Sequence, residues 1–185
     1  MLSEPTVSAP YIQVIWNTPV LRSMLLSELS AWINGPLAPN SALSALQEIE
    51  STNRELLRAD YRLWSDSLTM IEPDEGLAEL STKLEKRPEQ LIAQLVQRGA
   101  GEWTHIPIEQ SKGGHLVLDG KRVDAHATRL VVPAQELLLI EAVPADGMSF
   151  SGWKGMQETS PLLLIEPDFV ERLEPQFKKK EKPRP

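Results

Sequence analysis

An α+β fold is predicted for this chain, with an all-helical N-terminal half of about three helices followed by a small, mainly antiparallel β module. Three observations predict it. Apolar residues recur at helical spacing from about Pro19 to Arg98. From Trp103 onward the spacing changes to short alternating runs separated by turns rich in Gly and Pro. Between the two lies Gly99-Ala100-Gly101, which ends the helical pattern. The division is a helical subdomain over residues 1–100, a β module over 101–177 and a basic, disordered tail over 178–185.

In the first half, Pro19 suits a first helical turn. Leu21, Met24, Leu25, Leu29 and Trp32 follow at spacings of three or four, until Asn34-Gly35-Pro36 stops the helix. Asn40 or Ser41 caps a second helix of about 24 residues, longer than the usual mean. Its apolar stripe is Leu43, Leu46, Ile49, Leu56, Leu57 and Trp64, interrupted at Asn53. Pro73-Asp74-Glu75 opens a third helix, with Leu77, Leu80 and Leu84 on one side. Pro88 is expected to break or kink it near Arg87, because proline lacks a donor and disfavours the α region in the residue before it; Leu91, Ile92, Leu95 and Val96 continue the pattern.

In the second half, Thr104, Ile106 and Ile108 alternate with His105 and Pro107. Gly113-Gly114 turns the chain, and His115 to Val123 reads as a hairpin about Asp119-Gly120. Arg129 to Val132, Leu137 to Val143, Leu162 to Ile165 and Arg172 to Phe177 complete a single sheet of about six strands. The run from Leu137 is nearly continuously apolar, so both of its faces are expected to meet protein. Asp146-Gly147 supplies the next turn, and Phe150 and Trp153 return as apolar anchors. Gly152 between them is read as a place where another backbone approaches closely, and Pro175 as the mark of an edge or bulge.

Composition narrows the function. With 185 residues and 41% of them hydrophobic, the chain can fill real cores, and two small domains are preferred. A formal net charge of -7 argues against a general nucleic-acid binder, which needs a basic surface. The absence of cysteine excludes disulfides, thiolate metal ligands and a thiol nucleophile. No run approaches the roughly 18 apolar residues of a membrane span. Residues 1–10 lack the basic and apolar regions of an export signal, so a complete chain is expected in the cytoplasm.

Catalytic constellations are missing from the sequence. No phosphate-binding glycine loop precedes a helix. His105, His115 and His126 stand ten and eleven apart in the β half, unlike the i, i+4 pairs of helical metal sites. Glu48 with Glu50, and Asp74 with Glu75, point to different sides of a helix and form no acid/base pair. The expectation is therefore no catalytic residue, no metal and no cofactor. Two features remain as binding candidates. Arg54, Arg58 and Arg62 form a stripe that suits an acidic partner, although Glu50 and Glu55 offer salt bridges within the helix. Trp103, beside the boundary between the halves, and Trp153 are the aromatic candidates for a ligand, core packing being the ordinary role of each.

Two stretches resemble known families. Ala142, Pro144, Gly147, Phe150, Gly152, Trp153 and Phe177, with the run from Gly113 to Gly120, resemble the pattern of the divergent internalin B-repeat, or bacterial repeat domain. That resemblance implies a β-grasp-like spacer or adhesion unit of secreted and surface proteins; Pro175 departs from the pattern. Trp16 to Trp32, Asp60-Tyr61-Arg62-Leu63-Trp64 and Leu80 to Arg87 are similar to the C-terminal helices of the CotH-type spore-coat kinase family. None of the positions that bind nucleotide or metal in that family has a counterpart here, so the resemblance implies a non-catalytic tail. The expectation is an accessory fragment of a larger secreted or surface protein, its helices docking on a protein partner or an upstream kinase-like core. The alternative is a stand-alone module that holds a glycan or peptide in a cleft between helices and sheet.

Overall fold

Each helix in the described residues begins on a proline, at the position where a missing N–H breaks no helical bond. The computed structural model describes residues 10–66 and 71–180. The helices are α1 (Pro10–Asn17), α2 (Pro19–Asn34), α3 (Pro39–Trp64) and α4 (Pro73–Gln97). Of these, α1 has no counterpart among the predicted helices. The carboxylate of Glu72 caps α4 by accepting from Asp74 N and Glu75 N at 2.9 and 3.2 Å. α4 ends in a Schellman motif: Gly99 takes a φ of 83°, Gly99 N–H donates to Val96 O at 2.9 Å and Ala100 N–H to Leu95 O at 3.0 Å. The expected break at Pro88 does not occur. α4 runs unbroken through it, and the proline ring is buried at the helix base.

Among the described residues eight short strands follow, in three small antiparallel sheets and not the single sheet of about six predicted. β1 (Trp103–Pro107) pairs with β4 (Arg129–Pro133). β2 (Gly114–Leu118), β3 (Lys121–Arg122), β5 (Leu138–Pro144) and β7 (Leu162–Ile165) form a sheet in the order β3-β2-β5-β7. β6 (Met148–Trp153), where the sequence pattern predicts no strand, pairs with β8 (Pro175–Lys179). The hairpin about Asp119-Gly120 forms as expected, with φ of 45° and 80° at the two turn residues. Lys178 and Lys179 belong to β8, so the strand takes in the start of the expected tail; the part beyond residue 180 lies outside the described residues. Pro175 opens β8 opposite Trp153, and the irregularity expected there falls on the partner strand, as a register shift between Phe150 and Gly152. Gly152 has φ 144° and nothing within 4 Å of where a Cβ would lie, so its need is conformational and not the close approach expected.

The core is built by the β module. Ile106, Leu116, Leu118, Leu130, Val132, Leu138, Ile140 and Leu173 are fully buried, and Phe150 stacks edge-to-face on Trp153 and Phe177 at 5.5 and 6.0 Å. A side chain at Gly114 would come within 2.5 Å of the Phe177 ring, so the glycine makes the slot that the ring fills. β5 buries only one face. Leu138, Ile140 and Ala142 point inward while Leu139 and Glu141 are exposed, correcting the expectation that both faces are covered. An apolar run alone does not distinguish a central strand covered on both sides from one whose outer leucines have no layer above them.

α2 is the helix that joins this core, and it does so by a different face from the one its leucines suggest. Leu21 and Met24 are exposed, whereas Leu26, Ser30, Ala31, Ile33 and Asn34 are buried. The face carries a polar stripe at helical spacing. Ser23 Oγ donates to Glu136, Ser27 Oγ to Asp119 at 2.5 Å, and Ser30 Oγ to Val131 O at 3.2 Å. Asn34 completes it. Its Oδ1 accepts Val131 N–H at 2.7 Å and its Nδ2 donates to Val131 O at 2.7 Å and to Ser30 O at 2.8 Å. One amide side chain thus occupies the place of a neighbouring strand beside β4. The boundary at residue 100 therefore divides chain segments and not cores, since Ala31 belongs to the same cluster as the sheet residues.

Asn34→Ala leaves the Val131 N–H without a partner and its C=O with only the Ser30 hydroxyl, so a loss of about 2 kcal/mol is expected in denaturant unfolding. Gln47→Ala, at an exposed position of α3, is expected to change stability by less than about 0.5 kcal/mol.

Candidate functional site

α3 and α4 form a helical hairpin that stands away from the core. At about 1.5 Å per residue, each helix is on the order of 40 Å long. α3 has no buried residue over its 26 positions, and α4 buries only Pro88 and Leu95, both toward its base. Leu43 and Leu46 are half-covered, as are Leu77 and Leu84 of the facing helix, so one apolar row of each helix is used between them. The rest is open to water: Ile49, Leu56, Leu63 and Trp64 on α3 and Leu80 on α4 are exposed, Leu56 and Leu63 each at 68%. A two-helix layer cannot cover a stripe this wide.

The arginine stripe lies on this arm and is largely occupied. Arg54 pairs with Glu50 one turn earlier, and the hydrogen bond to Glu50 raises the Arg54 pKa. Arg58 reaches across the hairpin to Asp74 at 3.1 Å. Arg62 joins Arg58 and Tyr61 around a shallow depression at the distal end, facing Glu72 and Asp74. Two of the three arginines, Arg54 and Arg58, are thus engaged within the arm itself.

A second feature lies at the base of the arm. A cleft of about 540 Å³, within the range of small-ligand sites, opens where α4 meets β1, β4 and the loop between β3 and β4. Glu85 and Glu89 line it from α4, and Trp103, His105, His126 and Arg129 from the β side. Asp124 also borders it, but its oxygens are committed. Oδ2 accepts Ser41 N–H at 3.0 Å and Ser41 Oγ–H at 2.8 Å, while Oδ1 accepts His126 N–H at 2.7 Å. Asp124 thereby caps α3 from outside the helix, in place of the Asn40 or Ser41 cap expected from the sequence.

The two tryptophans part company here. Trp153 is 2% exposed, packs on Phe150 and donates Nε1–H to Ser160 O at 2.9 Å, which makes it a core residue closed to a ligand. Trp103 is half-buried in the cleft wall, and its buried Nε1–H has no acceptor among the described residues. Its neighbours Glu85, Glu89 and Arg129 make no side-chain hydrogen bond or ion pair among those residues. The cleft therefore presents both signs of charge, and the indole in its wall holds one unmet, buried donor. Nothing in the spacing of Glu85, Glu89, Trp103 and Arg129 announces it, because the residues come from elements whose contact only folding defines.

The histidines separate as well. His105 and His126 border the cleft, whereas His115 sits on β2, and among the described residues no three His, Cys, Asp or Glu side chains are grouped to hold a metal. His115 has a pKa below the ordinary histidine value, first because burial disfavours its charged form and second because of the Arg122 charge; Glu141 opposes both. No protein-family model, curated protein or solved structure matches the chain.

These environments set two measurable outcomes. Trp103→Phe removes the unmet donor together with part of the indole's buried area, two effects that oppose each other, so unfolding stability should change by less than about 1 kcal/mol. For His115, the unfolded chain takes up its proton first as pH falls. Stability should therefore be pH-insensitive from this source above about 6.5, and should decline as pH drops from there through the lowered folded value. His115→Gln should flatten that slope in unfolding midpoints measured across the window.

Proposed function

We propose that this chain is a non-catalytic interaction fragment, in which the α3–α4 arm docks on a protein partner or an upstream kinase-like core and the β module serves as a spacer or adhesion unit. The observation that carries the reading is the exposure of α3. A helix of 26 residues that buries none of them, yet carries Ile49, Leu56, Leu63 and Trp64 in water, has the composition of an interface and the environment of a free surface. The order of helices then β module agrees with the resemblance to CotH-type tails and internalin B-repeats, and with it a place in a larger secreted or surface protein. No helix among the described residues is long and apolar enough to cross a membrane.

A second reading, a glycan- or peptide-binding cleft, is favoured by one specific observation: the unmet Trp103 donor beside Glu85, Glu89 and Arg129. A peptide whose binding turns the Trp103 ring toward the cleft supplies the acceptor that the buried indole N–H lacks, together with groups for both charges. Titration with short peptides should then quench Trp103 fluorescence in the wild type and fail in Glu85→Ala/Glu89→Ala/Arg129→Ala.

Photo-crosslinking in the producing cell tests the docking reading. A photoreactive side chain placed at Leu56 or Leu63 should give one discrete adduct, and the same group at Ser51 or Gln94 should give none. Equal, diffuse labelling at all four positions would contradict it.

A further inference from the structure

The two outer strands of the main sheet are treated very differently. β3 is two residues long, both cationic, and Gly35 lies so close that a Cβ there would be 2.6 Å from Arg122 O. Lys121 is further held by Glu28 at 2.5 Å and lies 5.0 Å above the Trp32 ring. This edge is covered and charged, the ordinary protection against adding another strand. β7 has neither device. It reads Leu162-Leu163-Leu164-Ile165 and no described strand pairs with its outer side.

The direction of its backbone groups is set by register. Ala142 N–H donates to Pro161 O at 2.8 Å, and Ile140 pairs with Leu163 and Leu138 with Ile165. In an antiparallel ladder the facing groups alternate, so residues 161, 163 and 165 turn their N–H and C=O toward β5 while Leu162, Leu164 and Glu166 turn theirs outward. Pro161 and Pro167 both fall on the inward parity, where they leave the outward donors intact. A proline that blunted this edge would fall on the other parity.

Two of the outward groups are already satisfied. Leu162 N–H donates to Ser160 Oγ at 3.1 Å, and Glu166 C=O accepts Phe169 N–H at 3.0 Å. Four groups remain without a partner among the described residues: Leu162 C=O, both groups of Leu164 and Glu166 N–H. This set is self-complementary. Two copies of β7 placed antiparallel about a two-fold axis at Leu164 exchange N–H and C=O at that residue, and Glu166 N–H of each meets Leu162 C=O of the other. The groups left over in such a pairing are the two already satisfied within the chain. On the outer face, Leu139 and Leu164 are opposite neighbours, 39% and 66% exposed, and the axis extends them into an unbroken row of four leucines. Each Glu166 lies beside a leucine and opposite no like charge.

From this donor–acceptor complementarity we infer that β7 is a self-association edge, through which a second copy of this chain continues the four-stranded sheet. The interface is distinct from the docking arm and does not depend on it. Four hydrogen bonds and a short leucine row make it a weak dimer, reversible on dilution.

Sedimentation of the whole chain over a concentration series tests it, with substitutions chosen for the symmetry. L164K places like charges across the axis, as does L164E, and each alone should weaken dimerisation about tenfold or more. An equimolar mixture of L164K and L164E should restore a dimer, because opposite charges then face each other. L56K on the arm should leave dimerisation unchanged. A wild type that stays monomeric throughout, a dimer insensitive to L164K, or a mixture that does not recover would overturn the inference. Amide exchange at Leu164 and Glu166 in the wild type provides a readout that needs no variant. Their protection should rise with protein concentration, and concentration-independent exchange counts against the pairing.

Discussion

The seating of the Asn34 amide against the backbone of Val131 is the contact on which the arrangement of helices and sheet depends. Apolar burial between α2 and the sheet is favourable but non-directional, and by itself it does not fix how the helix is turned. The two-point pairing with Val131 N–H and C=O does, because both bonds are made only in one orientation. Asp124 extends the same joint. Its N–H donates to Asn34 O at 2.8 Å and its carboxylate holds the first turn of α3, so two residues that are each 5% exposed set both where α2 rests and where α3 departs. Gly35 lies between them because the chain passes too near Arg122 O for any side chain.

The α3–α4 arm is launched from that joint without being packed on it. Helices gain most of their stability from tertiary contacts, and beyond its Asp124-capped first turn α3 has no buried residue to supply them. The ion pairs that decorate the arm, Arg54–Glu50, Lys83–Glu79 and Arg58–Asp74, lie at the surface, where solvent screening leaves them little weight in holding it. A rigid, polar joint therefore carries a loosely held element whose apolar side lacks a covering layer. That division of labour suits an arm that is completed by something else.

Much of the architecture was legible in the residues. Helix limits followed from Pro19, Gly35, Pro73 and Gly99, and the hairpin from Asp119-Gly120, because these positions impose backbone conformations irrespective of context. β7 was legible to its limits at Leu162 and Ile165. Faces were less legible. α2 is apolar on several sides, and the side that buries is marked by serines and Asn34, which a hydrophobic count scores against it. β6 is hidden because Ser149, Ser151 and Gly152 dilute its strand pattern, and its pairing with β8 is a long-range choice. Of the candidate site, the position of Trp103 at the junction could be foreseen. The unmet indole, the committed oxygens of Asp124 and the open edge of β7 could not, since each is defined by a partner far away in sequence or by the lack of one.

The arm stands outside the cooperative core, and residue-resolved native-state hydrogen exchange reads this directly. Amides in the distal half of α3 should open at free energies well below that of global unfolding, while those of β2, β5 and the C-terminal turns of α2 should open only with the whole molecule. Global-level protection throughout α3 in the isolated chain would contradict the account, because it would mean the hairpin is a finished structural layer with nothing left to dock.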